Sequence, residues 1–174
     1  MNYSKRKFLK TAAMASLSVS PFIIKASPFK SSNQSVPTLD PDLVREFVRV
    51  AHSDFGQVQK MLEETPHLLN ATQDWGDGDF ESAIGAAGHM GLKDMSNYLI
   101  AKGARFDIFV LTMLGKTEIV KSWIELYPNL LQSIGPHGFT LLHHAEKGGE
   151  DAAELFDYLS GKGLTEKFIK TFKK

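Results

Sequence analysis

The chain has 174 residues, a length suited to one domain, with 43% hydrophobic and 23% charged residues, the balance of an ordinary globular protein. Twenty basic residues offset twenty acidic ones, so nothing suggests the basic excess of a nucleic-acid binder. Cysteine is absent, which excludes disulfides, thiolate metal sites, a cysteine nucleophile and a lipidated N-terminal cysteine. No apolar run reaches the roughly 20 residues that span a bilayer.

The zero net charge conceals a division. Six basic residues (Lys5, Arg6, Lys7, Lys10, Lys25 and Lys30) precede the first acid, Asp40, leaving fourteen basic against twenty acidic residues and a net −6 beyond it. A basic start, the mildly apolar stretch Thr11 to Ile24, and then Ala26 with a Ser/Pro-rich segment form the layout of an export signal. Ser4-Lys5-Arg6-Lys7-Phe8-Leu9-Lys10 resembles the twin-arginine signal, whose pattern is Ser-Arg-Arg-x-Phe-Leu-Lys. The departure is Lys5 in place of the first arginine, and an ammonium does not reproduce guanidinium geometry. The reading is an export segment over 1–26, cut after Ala26, with a general secretory signal, or an uncut segment anchoring the protein by its N-terminus, as the alternatives. The resemblance implies delivery to the periplasm. A cargo that folds in a reducing cytoplasm needs no disulfide, in keeping with the cysteine count. Residues 27–39 are rich in Ser and Pro, the stretch from Lys30 to Thr38 has little to bury, and the segment reads as a flexible linker.

From Asp40 onward the apolar spacing is helical. Asp40-Pro41 is a helix start, an N-cap followed by a proline at the first turn. Leu43, Phe47, Val50 and Ala51 share one face; Val58, Met61 and Leu62 give a second helix, stopped by Pro66. A small-residue helix from Ser82 to His89 is followed by one marked by Met95, Tyr98 and Leu99 that ends at Gly103. Ile108 to Leu114 pairs with Val120, Trp123 and Ile124; Leu141 to Lys147 pairs with Ala152, Leu155, Phe156 and Leu159. No stretch alternates cleanly with period two, so no sheet is predicted.

The pairs repeat. Leu62-Glu63-Glu64-Thr65-Pro66-His67-Leu68-Leu69 aligns with Ile124-Glu125-Leu126-Tyr127-Pro128-Asn129-Leu130-Leu131 at an offset of 62, and the segment from Ser82 aligns with that from Thr140 at 58. Both are near twice a repeat of roughly thirty residues. Gly138-Phe139-Thr140-Leu141-Leu142-His143-His144-Ala145 resembles the ankyrin signature Gly-x-Thr-Pro-Leu-His-x-Ala, with Leu141 in place of proline, and the segment from Gly91 to Ala104 resembles the second half of the same repeat. The run Asp74-Trp75-Gly76-Asp77-Gly78-Asp79-Phe80 is similar to a feature of a bacterial ankyrin subfamily. The resemblance implies an all-α fold, an ankyrin-repeat solenoid of about four helix pairs over 40–164, followed by a basic C-terminal tail over 165–174 in which Phe168, Ile169 and Phe172 are placed to cap the last pair. Gly85, Ala86, Ala87 and Gly88 suit a first helix whose neighbours stack closely. A finger loop is predicted between Asn70 and Ser82 and a missing one between the second and third pairs.

Chemistry-bearing residues are sparse. Asp74, Asp77 and Asp79 do not have EF-hand spacing, and a turn built from Asp and Gly is the simpler reading. His143 and His144 point about 100° apart on a helix and do not converge on one ion. The resemblance implies that His143 hydrogen-bonds neighbouring finger backbone, while His144 is expected to face the concave side. His89 and His137 stand isolated in the sequence. No phosphate loop, nucleophile elbow or His-Glu-x-x-His is present. No catalytic, cofactor or metal residue is therefore assigned. The expectation is a non-catalytic protein-binding module for an unidentified protein partner, contacting it through Trp75, Asp77, Asp79, Phe80, His137, Phe139 and His144 near the finger tips. The alternative is an accessory protein or metal-dependent enzyme of an exported redox system.

Overall fold

The structure, a computed structural model, describes residues 38–170. The export segment, nearly all of the linker, and Phe172 lie outside these residues. The described chain is mainly α-helical. Its elements in order are α1 (Pro41–Val50), α2 (Phe55–Glu64), β1 (Thr72–Asp74), β2 (Phe80–Ser82), α3 (Ala83–Met90), α4 (Lys93–Ala101), α5 (Ile108–Met113), α6 (Thr117–Leu126), α7 (Leu141–Gly148) and α8 (Ala153–Gly161). Short 3₁₀ turns cover Pro66–Asn70, Pro128–Gln132, Pro136–Gly138 and Gly149–Ala152.

Helix boundaries follow local chemistry. The Asp40 carboxylate accepts the Asp42 N–H at 2.9 Å ahead of Pro41, and Asp54 caps α2 through the Gln57 N–H at 2.9 Å. Ser82 caps α3, and one Asp107 oxygen accepts the Phe109 and Val110 N–H groups at 3.0 and 3.1 Å to start α5. These side chains satisfy donors that the first helical turn leaves unpaired. Pro66 and Pro128 each follow a helix end by two residues and open a 3₁₀ turn.

The helices pack as consecutive pairs: α1 with α2, α3 with α4, α5 with α6, α7 with α8. The first helices of the pairs also meet in chain order, α1 on α3, α3 on α5 and α5 on α7. Two cores result. One gathers residues of α1 to α4 with Val110, Met113 and Leu114; the other gathers Ile108, Phe109 and Leu111 with residues of α6, α7 and α8. Helix α5 is thus buried all round and shared between them, so neither core is complete without it.

Close approach depends on small residues. Ala83, Ala86 and Ala87 are fully buried in α3, and a Cβ on Gly88 would stand 3.2 Å from Val110 Cγ2. One packing relation is not a nearest-neighbour one. Helix α7 also touches α3, and Lys93 at the head of α4 pairs with Asp151 beside α8. The contact falls beside α5, which has only six residues.

One expectation is corrected. A sheet exists, though a small one: β1 and β2 form an antiparallel hairpin with Thr72 opposite Ser82 and Asp74 opposite Phe80. It occupies the finger predicted between Asn70 and Ser82, and its strands are too short to show alternation in sequence. Part of the basic end folds back onto the turn before α7. Phe168 bridges Phe139 in antiparallel fashion, the Ile169 N–H donates to Gly138 O at 2.9 Å, and the Thr140 N–H donates to Lys167 O at 3.1 Å. The backbone groups of the turn before α7 needed partners, and the chain after α8 supplies them.

Candidate functional site: a histidine and carboxylate cluster

The Asp/Gly run folds as a hairpin turn. The Trp75 N–H donates to Asp79 O at 2.9 Å and the Asp79 N–H to Gly76 O at 3.1 Å, with Gly76, Asp77 and Gly78 all at positive φ. This turn leaves Gly76, Asp77 and Gly78 at the surface and sends alternate side chains of the returning strand to opposite faces. Phe80 points outward at 60% exposure, while Asp79 and Glu81 point inward at 1% each.

Glu81 is the centre of the arrangement. Its Oε2 accepts the indole N–H of Trp75 at 2.7 Å and lies 3.2 Å from His137 Nε2; its Oε1 accepts from His89 Nε2 at 2.8 Å. His52, just past the end of α1, brings its Nε2 to 3.2 Å from His89 Nε2 and 3.4 Å from Glu81 Oε2. One donor atom from each of His52, Glu81, His89 and His137 lies within 4.8 Å of every other. Glu81 and His89 are buried; His52 and His137 are half-buried, so the cluster opens to solvent at their edges.

The imidazoles are held from behind. His52 Nδ1 lies 3.0 Å from Val48 O, where it can only donate. His137 sits in the left-handed region at φ 61°, and Asp79 grips it twice, at the backbone N–H and at Nδ1. Phe139 stacks on the rings of His143 and His89, with centroids 4.0 and 5.1 Å away.

Burial alone would raise the pKa of Glu81, but hydrogen bonds from His137 and His89, and their charges, overcome it and hold the carboxyl at about 2. The hydrogen bond to Glu81 raises the pKa of His137 against the opposing effect of burial, with Asp79 adding to the rise. The arrangement is a pair of buried carboxylates satisfied by surrounding N–H donors. It also presents three imidazole nitrogens and one carboxylate to a single point.

The residues expected at the finger tips divide. Asp77 and Phe80 are exposed there. Trp75, His137 and Phe139 are half-buried and engaged with the cluster, and Asp79 is buried beneath it. His144 does not face an open concave side. It is 1% exposed, packs against Phe109 and donates from Nδ1 to Thr140 O at 2.8 Å, because α7 is covered by both α5 and α3. Burial depresses its pKa to about 3. His143 donates to the backbone carbonyl of His89 in α3 at 2.9 Å, not to a finger.

His89 and His137, isolated in the sequence, are neighbours in space. His52 and Glu81 were not singled out at all. Four residues drawn from positions 52 to 137 leave no spacing motif; the one local signal is the Phe80-Glu81 alternation, which sets Glu81 opposite an outward-facing aromatic. A separate surface feature is a groove of about 890 Å³ lined by Phe106, Trp123, Leu126, Tyr127, Pro128 and Leu130. Comparison with family models, with curated proteins and with solved structures gives no match.

Proposed function

We propose that this chain is an exported protein-binding module, a stack of helical hairpins of the ankyrin kind with no catalysis of its own. The observation that carries this reading is the packing of four consecutive helix pairs whose first helices meet in chain order, with α5 shared between two cores. Such a scaffold holds side chains rigidly along its length and offers them to a partner without further ordering cost. The signature-like segment from Gly138 to Ala145 supports the assignment, and the contact between α3 and α7 marks where the chain departs from a strictly linear array. Delivery to the periplasm rests on the twin-arginine-like start alone.

Two exposed apolar features are available to a protein partner: Phe80 on the hairpin, and the groove containing Trp123, Leu126 and Tyr127. The test is affinity capture from the cell-envelope fraction with the full chain as bait, then direct binding of the captured protein to purified wild type, Phe80→Ala, and a Trp123→Ala/Tyr127→Ala double variant. Direct binding lost in one variant, with the helical CD signal retained, supports the module and locates its surface. Absence of any direct binder, or binding unchanged in both variants, overturns it.

A further inference from the structure

We propose that His52, Glu81, His89 and His137 bind one divalent transition-metal ion, with Zn²⁺ the best match to the donor set. Tetrahedral Zn²⁺ with bonds of about 2.0 Å to nitrogen and oxygen requires donor atoms about 3.3 Å apart. The closest contacts are 2.8 Å from His89 Nε2 to Glu81 Oε1, 3.2 Å from His89 Nε2 to His52 Nε2, 3.2 Å from His137 Nε2 to Glu81 Oε2 and 3.4 Å from His52 Nε2 to Glu81 Oε2. Side-chain shifts that open the 2.8 Å contact and close the wider pairs, all of which lie within 4.8 Å, bring the four donors to this spacing.

Two of the three imidazoles have the outer partner that a metal site needs. A ligating imidazole uses one ring nitrogen and donates the other N–H to an acceptor that fixes its tautomer and orientation. His52 meets this through Nδ1 and Val48 O, and His137 through Nδ1 and the Asp79 carboxylate. The Asp79–His137 pair is a carboxylate–histidine unit aimed at the cluster. Trp75 also holds Glu81, donating its indole N–H to Oε2. Three nitrogens against one carboxylate favour Zn²⁺, Co²⁺, Ni²⁺ or Cu²⁺ over Ca²⁺ and Mg²⁺, which take oxygen ligands. With four protein ligands the site is closed, which suits a structural ion. It would fasten the end of α1, the hairpin, the end of α3 and the turn before α7 to one another.

This inference does not rest on the protein-binding reading, and its readouts are separate. The experiment titrates Zn²⁺ calorimetrically into the full chain purified without a histidine tag, and Co²⁺ with visible absorption. The expected result is about one ion per chain and the intense visible bands of tetrahedral Co²⁺. Glu81→Gln and His89→Ala should abolish stoichiometric binding. Asp79→Asn, which alters an outer partner only, should weaken it about 10- to 100-fold. His67→Ala, at an exposed histidine on the turn after α2, should leave it unchanged. If His89→Ala fails to fold, Glu81→Gln and Asp79→Asn, checked by CD, decide the matter. No stoichiometric ion in the folded wild type, octahedral Co²⁺ spectra, or affinity unchanged in Glu81→Gln and Asp79→Asn would overturn the site.

Discussion

Asp79 and His137 lie 58 residues apart in the chain and are joined twice, by Oδ1 to the backbone N–H at 2.7 Å and by Oδ2 to Nδ1 at 2.7 Å. The pair fixes the β-hairpin of the second helix pair to the turn that opens the fourth. Asp79→Ala removes both acceptors and leaves the His137 donors facing a buried space. Loss of a buried charged partner of this kind costs about 3 kcal/mol. Urea unfolding followed by CD should show that loss; a change below about 1 kcal/mol would mean the clasp contributes little to the fold.

Acid sensitivity follows from His144. Its folded pKa of about 3 is below its ordinary value of 6.5, so below pH 6.5 the unfolded chain takes up a proton that the folded chain refuses. Stability therefore falls as pH drops from 6.5 towards 3. Glu81, held at about 2 against an ordinary 4.5, adds a further loss between those values. His137 has the opposite type of shift: its raised pKa contributes stability fully present below 6.5 and lost as pH rises through its folded value. Maximal stability near neutrality is expected, with an acid slope of at most about 1.4 kcal/mol per pH unit for each group. Denaturant titrations from pH 7 to pH 4 should show a shallower slope in His144→Gln than in wild type. Equal slopes would remove His144 as the source.

Gly148 and Gly161 are both helical glycines with opposite prospects. A Cβ on Gly148 would sit 2.3 Å from Met113 O and 2.5 Å from Ala152 Cβ, backbone and a fully buried methyl that have nowhere to go. Gly148→Ala should cost about 3 kcal/mol or more by forcing α7 away from α5. At Gly161 nothing lies within 4 Å of the added atom. Gly161→Ala should be neutral or stabilise by about 0.5–1 kcal/mol, through helix propensity and reduced freedom of the unfolded chain. Thermal melts of the two variants should move in different directions or by clearly different amounts.

Ser96 is fully buried in α4, and among the described residues its hydroxyl has no hydrogen-bond partner. Ser96→Ala removes an unpaired polar group and raises helix propensity, so it should stabilise by about 1 kcal/mol. A destabilised variant would show that the hydroxyl does have a partner in solution.

Local chemistry in the sequence determined the helices. Their caps at Asp40, Asp54 and Asp107, their stops at Pro66 and Pro128, and the small-residue face of α3 are all nearest-neighbour effects acting within a turn or two of backbone, and the predicted and observed helices coincide closely. The pairing of helices was legible for the same reason, since each apolar face announces that it must be covered. What covers it was not legible. Only the tertiary structure set α7 against α3 as well as α5, which buried His144, and it drew the chain after α8 back onto the turn around Gly138. It alone brought His52, Glu81, His89 and His137 together. Their convergence depends on where four separated backbone segments end in space, and short-range spacing holds no record of that.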